Sequence, residues 1–288
     1  MEAVPATIQR LAEQIDRLMA EPSEKPTLVY LDVMGIGWPI HCLLHVAGVE
    51  YEFVRVSLFE WAAQTPDGRY VLKSRVRNGH LPLWVEGDLR LNQSNVILTY
   101  LAERFDLFGD EQSERFAAME VMAHAYDALF HWNGMLTVNA TMNVPEDVAR
   151  DRLAAFRGEG AWGISGNGYR NHLDGFVRYL NANPADSGFM VGKRLSVADL
   201  HAFNALANWY KSFDREVFSA EYPSLDAYIE RIATIPAVTD YIRNHQEATT
   251  WIPVPEIGIA LTTSSTRFHI TVLNMYARIW PRPNSGTM

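Results

Sequence analysis

The stretch GHLPLWVEGDLRLNQSNVILTYLAERF, residues 79–105, holds a proline at the mouth of a strand, a hairpin and a helix start without interruption. Pro82 stands where a strand ordinarily excludes proline, because the ring removes a ladder donor. A special turn resolves the conflict, and a cis Leu81-Pro82 bond is the feature expected there. Such a bond leaves the Leu81 N–H and C=O free to pair with an extended peptide. Residues 81–91 then read as two short strands around Glu86-Gly87-Asp88, and residues 95–105 as a helix. Ser94, at the amino end of that helix, lies among exposed N–H groups that suit a carboxylate. Singly, each element also fits a plain edge strand and a plain N-cap. The combination in one topology is what points to a binding site.

Upstream, Thr27-Leu28-Val29-Tyr30-Leu31 has strand composition. Gly35-Ile36-Gly37 breaks it, and Trp38-Pro39 opens a helix running to Val46, with proline at a first-turn position. A second β-like run, residues 51–56, follows Gly48. Strand, helix and strand make a right-handed parallel βαβ unit. With the hairpin and helix that follow, the order is βαβ then ββα, a thioredoxin-like α/β domain over residues 27–106. Beyond Gly109 the pattern is helical only, over 111–137, 146–157, 167–182, 196–211, 224–234 and 236–245. The chain therefore divides into a thioredoxin-like domain, 27–106, and an all-α domain, 111–248. Within the latter, Ser196 and Asp199 form a capping box variant.

Both ends carry additions. Residues 1–26 place Ile8, Leu11, Ile15 and Leu18 at helical spacing before Pro22 and Pro26 break the pattern, which gives a short amphipathic helix and a linker. That helix either packs loosely on the surface or serves assembly. The segment 249–288 has a β-rich run at 268–273 and docking-prone aromatics at Trp251, Tyr276 and Trp280.

Composition removes several function classes. With 48% hydrophobic and 20% charged residues, and 8 Trp, 12 Tyr and 13 Phe, the chain is globular rather than disordered. A net charge of −9 with scattered cations argues against a nucleic-acid surface. One cysteine, Cys42, excludes an intrachain disulfide and a cysteine-rich zinc site, and fits a cytoplasmic address. The longest apolar runs are too short to span a bilayer and no signal-peptide core opens the chain. The nine histidines lack metal-ligand spacing, so no metal is expected.

On these motifs the chain resembles the cytosolic glutathione transferases of the tyrosine type, closest to the sigma class. Residues 28–54, LVYLDVMGIGWPIHCLLHVAGVEYEFV, are similar to that family's first strand, helix and strand. Residues 79–105 resemble its cis-proline hairpin and Gln-Ser helix, and residues 189–200, FMVGKRLSVADL, the N-capping box of its helical domain. The resemblance implies a protein that binds glutathione as co-substrate, conjugates its thiolate to a small hydrophobic electrophile, and forms a homodimer. Tyr30 matches the tyrosine whose hydroxyl bonds the glutathione sulfur, a bond that favours the thiolate over a thiol of ordinary pKa ~8.5. Leu81, after which Pro82 supplies the cis bond, matches the residue whose backbone meets the cysteinyl unit. Gln93 and Ser94 match the pair that holds the γ-glutamyl end. Trp61 matches a tryptophan at the glycyl end and reads equally as a buried anchor. Asp127 matches an acid that reaches the γ-glutamyl amine across the dimer, and reads also as a plain exposed helical residue. The electrophile is expected near Tyr126, Phe130 and Trp132.

The sequence departs from the family at two places. Gly35-Ile36-Gly37-Trp38 replaces an arginine-and-acid stretch, and Thr65 replaces a lysine after the tryptophan. The long loop that follows carries Arg69, Lys73, Arg75 and Arg77, one of which is a candidate for the missing cation. Cys42 lies a turn too far into its helix to be the nucleophile, and reads as a packed core thiol. The same fold without turnover, as a binding or structural protein, and a glutathione-dependent isomerase are the alternative readings.

Overall fold

The computed structural model describes residues 4–32, 35–141, 170–210 and 215–244. The expected helix at 146–157 and the whole segment 249–288 lie outside them. The chain forms two compact units, Met1–Phe105 and Asp106–Met288.

The first unit is built on a four-stranded sheet of β1 (Ser23–Leu31), β2 (Glu52–Val56), β3 (Leu83–Gly87) and β4 (Leu89–Asn92), in the order β2-β1-β3-β4. β1 and β2 are parallel, and β3 runs antiparallel to both of its neighbours, β1 and β4. The parallel pair needs a crossover, supplied by helix α2 (Trp38–Val46). Helix α4 (Ser94–Arg104) follows the hairpin and packs on α2. Leu28, Leu43, Leu44, Val85, Ile97, Leu98 and Leu101 form the apolar core of this unit. β1 begins four residues earlier than residue 27, because Ser23 pairs with Gly87 across a bulge and the strand runs on past Pro26.

Two helices complete the unit. α1 (Ala6–Ala20) buries Ile8, Ala12 and Ile15. It docks rather than packing loosely, and Ala12, not Leu11 or Leu18, completes its buried stripe. α3 (Leu58–Ala62) is a single turn and a half held by a capping box, in which the Ser57 hydroxyl accepts from the Glu60 N–H and the Ser57 N–H donates to Glu60 Oε2.

The regular elements described in the second unit are all helices: α5 (Gln112–Thr141), α6 (Arg170–Ala182), α7 (Val197–Tyr210), α8 (Arg215–Glu221), α9 (Pro223–Ala233) and α10 (Pro236–Asn244). α7 is buried on all sides over residues 197–207, with Leu200, Ala202, Phe203, Ala205, Leu206 and Ala207 among its apolar positions, so it forms the centre against α5 and α9. No helix among the described residues is long and apolar enough to cross a membrane.

One histidine of this core has a measurable consequence. His201 is fully buried with neither ring nitrogen hydrogen-bonded, and burial lowers its pKa to about 4. The unfolded chain protonates this residue from its ordinary value near 6.5, so stability is lost as pH falls from 6.5 towards 4. Replacing His201 by leucine removes that linkage. Urea unfolding of the His201→Leu variant is expected to show an advantage over the native chain that grows by about 3 kcal/mol between pH 7 and pH 4. A pH-independent difference between the two proteins would contradict it.

Candidate functional site

Strand register brings the predicted residues to one end of the sheet. Val29 stands opposite Leu83, and Leu83 opposite Asn92. One step further along both ladders carries Tyr30 alongside Pro82, and Pro82 alongside Gln93. Because β1 and β2 are parallel, their carboxyl ends meet at that same end, where β2 passes through Ser57 into α3 and Trp61. Tyr30, Trp61, Leu81, Pro82, Gln93 and Ser94 thus share one rim of the unit.

The Leu81-Pro82 bond is cis. Leu81 precedes the ladder, and among the described residues its N–H and C=O have no hydrogen-bond partner. The carbonyls on either side of it are taken by one side chain, since Asn92 Nδ2 donates to His80 O (3.4 Å) and to Pro82 O (3.2 Å). Asn92 therefore pins the segment to the end of β4 and leaves the Leu81 polar pair as the exception. Free backbone groups at a strand edge accept an extended peptide.

Gln93 is exposed and holds φ at 74°, in the left-handed region that side chains rarely occupy. Such residues gather at ligand clamps. Gln93 caps α4 through its backbone, and Ser94 is the first helical residue rather than the cap. The Ser94 hydroxyl makes no hydrogen bond among the described residues although the residue is buried. A helix amino end with free N–H groups and a spare hydroxyl is suited to an anion.

Tyr30 ends β1 with its ring enclosed. It is 3% exposed and meets the ring of His41 edge-on at 6.5 Å between centroids. His41 is in turn held by a 2.6 Å hydrogen bond between Nδ1 and the Tyr51 hydroxyl, and by an edge contact with Phe53. Burial pushes the Tyr51 hydroxyl up to about 12, so that phenol stays neutral. The Gly37 backbone also lies against the ring, so close that a Cβ there would stand 2.3 Å from Tyr30 Cε1. Gly37 has no pattern that a sequence reading detects, and its role was visible only once the ring was placed. Cys42 is fully buried, and desolvation raises its thiol well above the ordinary cysteine range, which makes it an inert core residue.

Trp61 is buried at 8% exposure. After it comes the loop with the four cations. Arg69 pairs with Asp67, Lys73 lies 3.8 Å from the Tyr70 ring centroid, and Arg75 pairs with Asp16 at 3.0 Å. Arg77 is exposed and has no partner among the described residues. Asp127 lies on α5 in the second unit, also exposed. Tyr126 is half-buried on the same helix, while the side chains of Phe130 and Trp132 lie outside the described residues. Among the described residues no three His, Cys, Asp or Glu side chains come together as a metal site.

Comparison with known proteins identifies the family and the fold. A family model described as the glutathione S-transferase N-terminal domain matches residues 26–103, and the C-terminal domain of the same family matches 166–245. Together they take in more than half of the chain. Glutathione S-transferase P 1 of Xenopus laevis is 27% identical over 217 residues, covering 75% of this chain and 91% of that protein. Glutathione S-transferase A1 of Mus musculus is 27% identical over 226 residues, covering 76% and 88%. Among solved structures, a glutathione S-transferase from Ascaris lumbricoides aligns with a TM-score of 0.62 at 25% identity, over 76% of this chain and 97% of that one. A sigma class enzyme from Fasciola hepatica aligns at 0.61 and 18% identity, over 76% and 96%, which speaks to fold.

Proposed function

This chain belongs to the glutathione S-transferase family, and on that premise we propose that it binds glutathione at the sheet rim and conjugates the thiolate to a small electrophile. The observation that carries the reading is the register that brings Tyr30, Leu81, Gln93 and Ser94 to one end of three adjacent strands. In this reading the unpaired N–H and C=O of Leu81 meet the cysteinyl backbone. Gln93, Ser94 and the first N–H groups of α4 hold the γ-glutamyl carboxylate. Trp61 lines the glycyl side, and Arg77, the loop cation without a partner among the described residues, meets the glycyl carboxylate.

The chemistry follows from where the cysteinyl sulfur would lie, beside Tyr30. A hydroxyl donating to sulfur stabilises the thiolate, so the thiol ionises below its ordinary ~8.5. The sulfur lone pair then forms the new carbon–sulfur bond while the electrophile's leaving group departs with its electron pair, and the thiol proton passes to solvent. Losing a hydrogen bond to a charged group costs about 1.5–3 kcal/mol. Tyr30→Phe is therefore expected to bind glutathione as the native chain does, while kcat/KM for an aromatic halide falls about 10- to 100-fold. The rising limb of its pH–rate profile should move up towards 8.5. An unchanged rate would remove Tyr30 from the chemistry, and a native chain showing no heat of binding in a glutathione titration would remove the function.

A binding role without turnover has one observation in its favour. The uncharged turn Gly35-Ile36-Gly37, which sets the Gly37 backbone against the Tyr30 ring, stands where the family resemblance implies a charged stretch. Glutathione binding with no thiol consumption would select that reading.

A homodimer is part of the proposal. Residues 116, 119, 120, 123 and 127 run down one exposed face of α5, and Phe116 and Met119 on it are 62% and 46% exposed. Pairing along that face would bring Asp127 to the γ-glutamyl amine of a partner's glutathione. The single buried thiol of Cys42 is consistent with a cytoplasmic address.

A further inference from the structure

The matched N-terminal family model begins at residue 26, so α1 stands outside it, yet α1 is fastened to the domain at three separate places. Its carboxyl end is gripped by Arg90 on β4, whose Nε donates to Leu18 O (2.9 Å), whose second guanidinium nitrogen donates to Glu21 O, and whose third donates to Gly87 O (2.7 Å). Its middle reaches the edge of the sheet, where Gln14 Nε2 donates to Glu52 Oε1 (3.1 Å). A third contact is with the 3-10 turn Lys73–Arg75, where Asp16 Oδ2 accepts from Arg75 Nε (3.0 Å). Arg75 also donates to the Val71 carbonyl, which ties the helix to the backbone of the loop.

The loop in question joins Trp61 to Leu81 and presents Arg77. It is folded on itself by the Gln64 and Tyr70 bridge and by Val71 N–H donating to Ala63 O (2.9 Å), with Val71, Leu72 and Val76 buried beneath it. A connection of this length, residues 62–80, is normally a mobile element. Among the described residues, its one link outside itself through a charged side chain is to Asp16 on α1.

We propose that α1 is a built-in brace of the glycyl side of the binding rim, and that Asp16 and Arg75 are positioning residues that fix the loop so that Arg77 is free for the ligand carboxylate. This rests on the glutathione-binding reading above. Among the described residues three of the four loop cations have partners, Arg69 and Lys73 within the loop and Arg75 on Asp16 outside it. The brace then sets the affinity for glutathione and leaves the thiolate step alone, since Tyr30 and Gly37 are held by α2 and β1 instead.

The experiment uses the full chain in three forms: native, Asp16→Arg, and the charge-swapped Asp16→Arg with Arg75→Asp. Glutathione titration of the native protein comes first. Steady-state conjugation and trypsin cleavage after Arg69, Lys73 or Arg77, the loop sites common to all three forms, are then compared. The bridge is about half exposed on its Asp16 side, so its effect is moderate. KM for glutathione is expected to rise about 3- to 10-fold in Asp16→Arg with kcat within twofold of native, and loop cleavage is expected to accelerate. The charge-swapped form should return both to near native. An unchanged KM in Asp16→Arg overturns the proposal, whether or not the loop is cut faster, and so does a parallel fall in kcat that the swap fails to restore. No glutathione binding by the native chain overturns the underlying reading, and is distinguishable because it appears before any substitution.

Discussion

Gly37→Ala is expected to cost this protein at least tenfold in kcat/KM and about 1–3 kcal/mol of stability, although alanine is the better helix former. The backbone gives no reason for glycine, since Gly37 has φ −83° and ψ −24°, where any residue is at ease. The reason is the ring of Tyr30. An added Cβ would lie 2.3 Å from Cε1, 2.4 Å from Cδ1 and 2.9 Å from Cζ, whereas carbon atoms in contact stand about 3.5–4.0 Å apart. The ring must shift by more than an ångström or the start of α2 must lift. The ring is only 3% exposed, and its neighbour His41 is itself held by Tyr51 and Phe53, so the ring has little open space to move into. Displacing a positioned catalytic group by about 1 Å is worth up to ~10²-fold. The same substitution in a Tyr30→Phe background should lower the rate little further, because the displaced hydroxyl is already gone. A Gly37→Ala protein with native rate and native unfolding midpoint would show that the ring has room the geometry denies it.

That contact also marks the limit of what the sequence made legible. The strand, helix and hairpin pattern of the first unit is local, and it was readable because alternation, prolines and turn residues lie within a few positions of one another. Pro82 and Gln93-Ser94 announced themselves in the same way. Gly37 did not, since a glycine beside another glycine reads as a turn, and only the placed ring of Tyr30 shows what it is for. α3 is too short for periodicity, yet the Ser57-x-x-Glu60 spacing was the signal available for it. The docking of α1 rests on Asp16 and Arg75, 59 positions apart, and on Arg90 reaching carbonyls 69 and 72 positions away. Pairings at such separations leave no trace in a single sequence. The same holds for the basic loop, where four cations look alike until three are seen to have partners.

Asp199→Ala should be the most destabilising single substitution in the helical unit, at about 3–5 kcal/mol, because this carboxylate is fully buried and fully used. It accepts from the Met190 N–H (2.8 Å), the Ser196 N–H (2.9 Å), the Ser196 hydroxyl (2.8 Å) and the Tyr228 hydroxyl (3.3 Å), joining the loop before α7, the start of α7 and the middle of α9. Burial raises its pKa to about 6 against the pull of these donors, so it is ionised at neutral pH. Truncation leaves two backbone N–H groups and the Ser196 hydroxyl unpaired in the core, while the Tyr228 hydroxyl keeps the Asp199 carbonyl (3.1 Å), in a domain whose whole stability is of order 5–15 kcal/mol. Asp199→Asn keeps the shape but turns an NH2 group towards a donor, and should recover only part of the loss. Linkage separates the charge from the shape. The folded pKa of Asp199 lies above its unfolded value near 3.8, so its contribution to stability is greatest below 3.8 and falls as pH rises through 6. His201, two residues along the same helix, has the opposite sign between 6.5 and 4, and the two slopes oppose each other over that window. Urea unfolding of Asp199→Asn between pH 4 and 6 should therefore expose the His201 slope that the native chain conceals, with stability falling more steeply towards acid than in the native protein. Parallel curves for the two proteins would show that the Asp199 carboxylate does not titrate in that range.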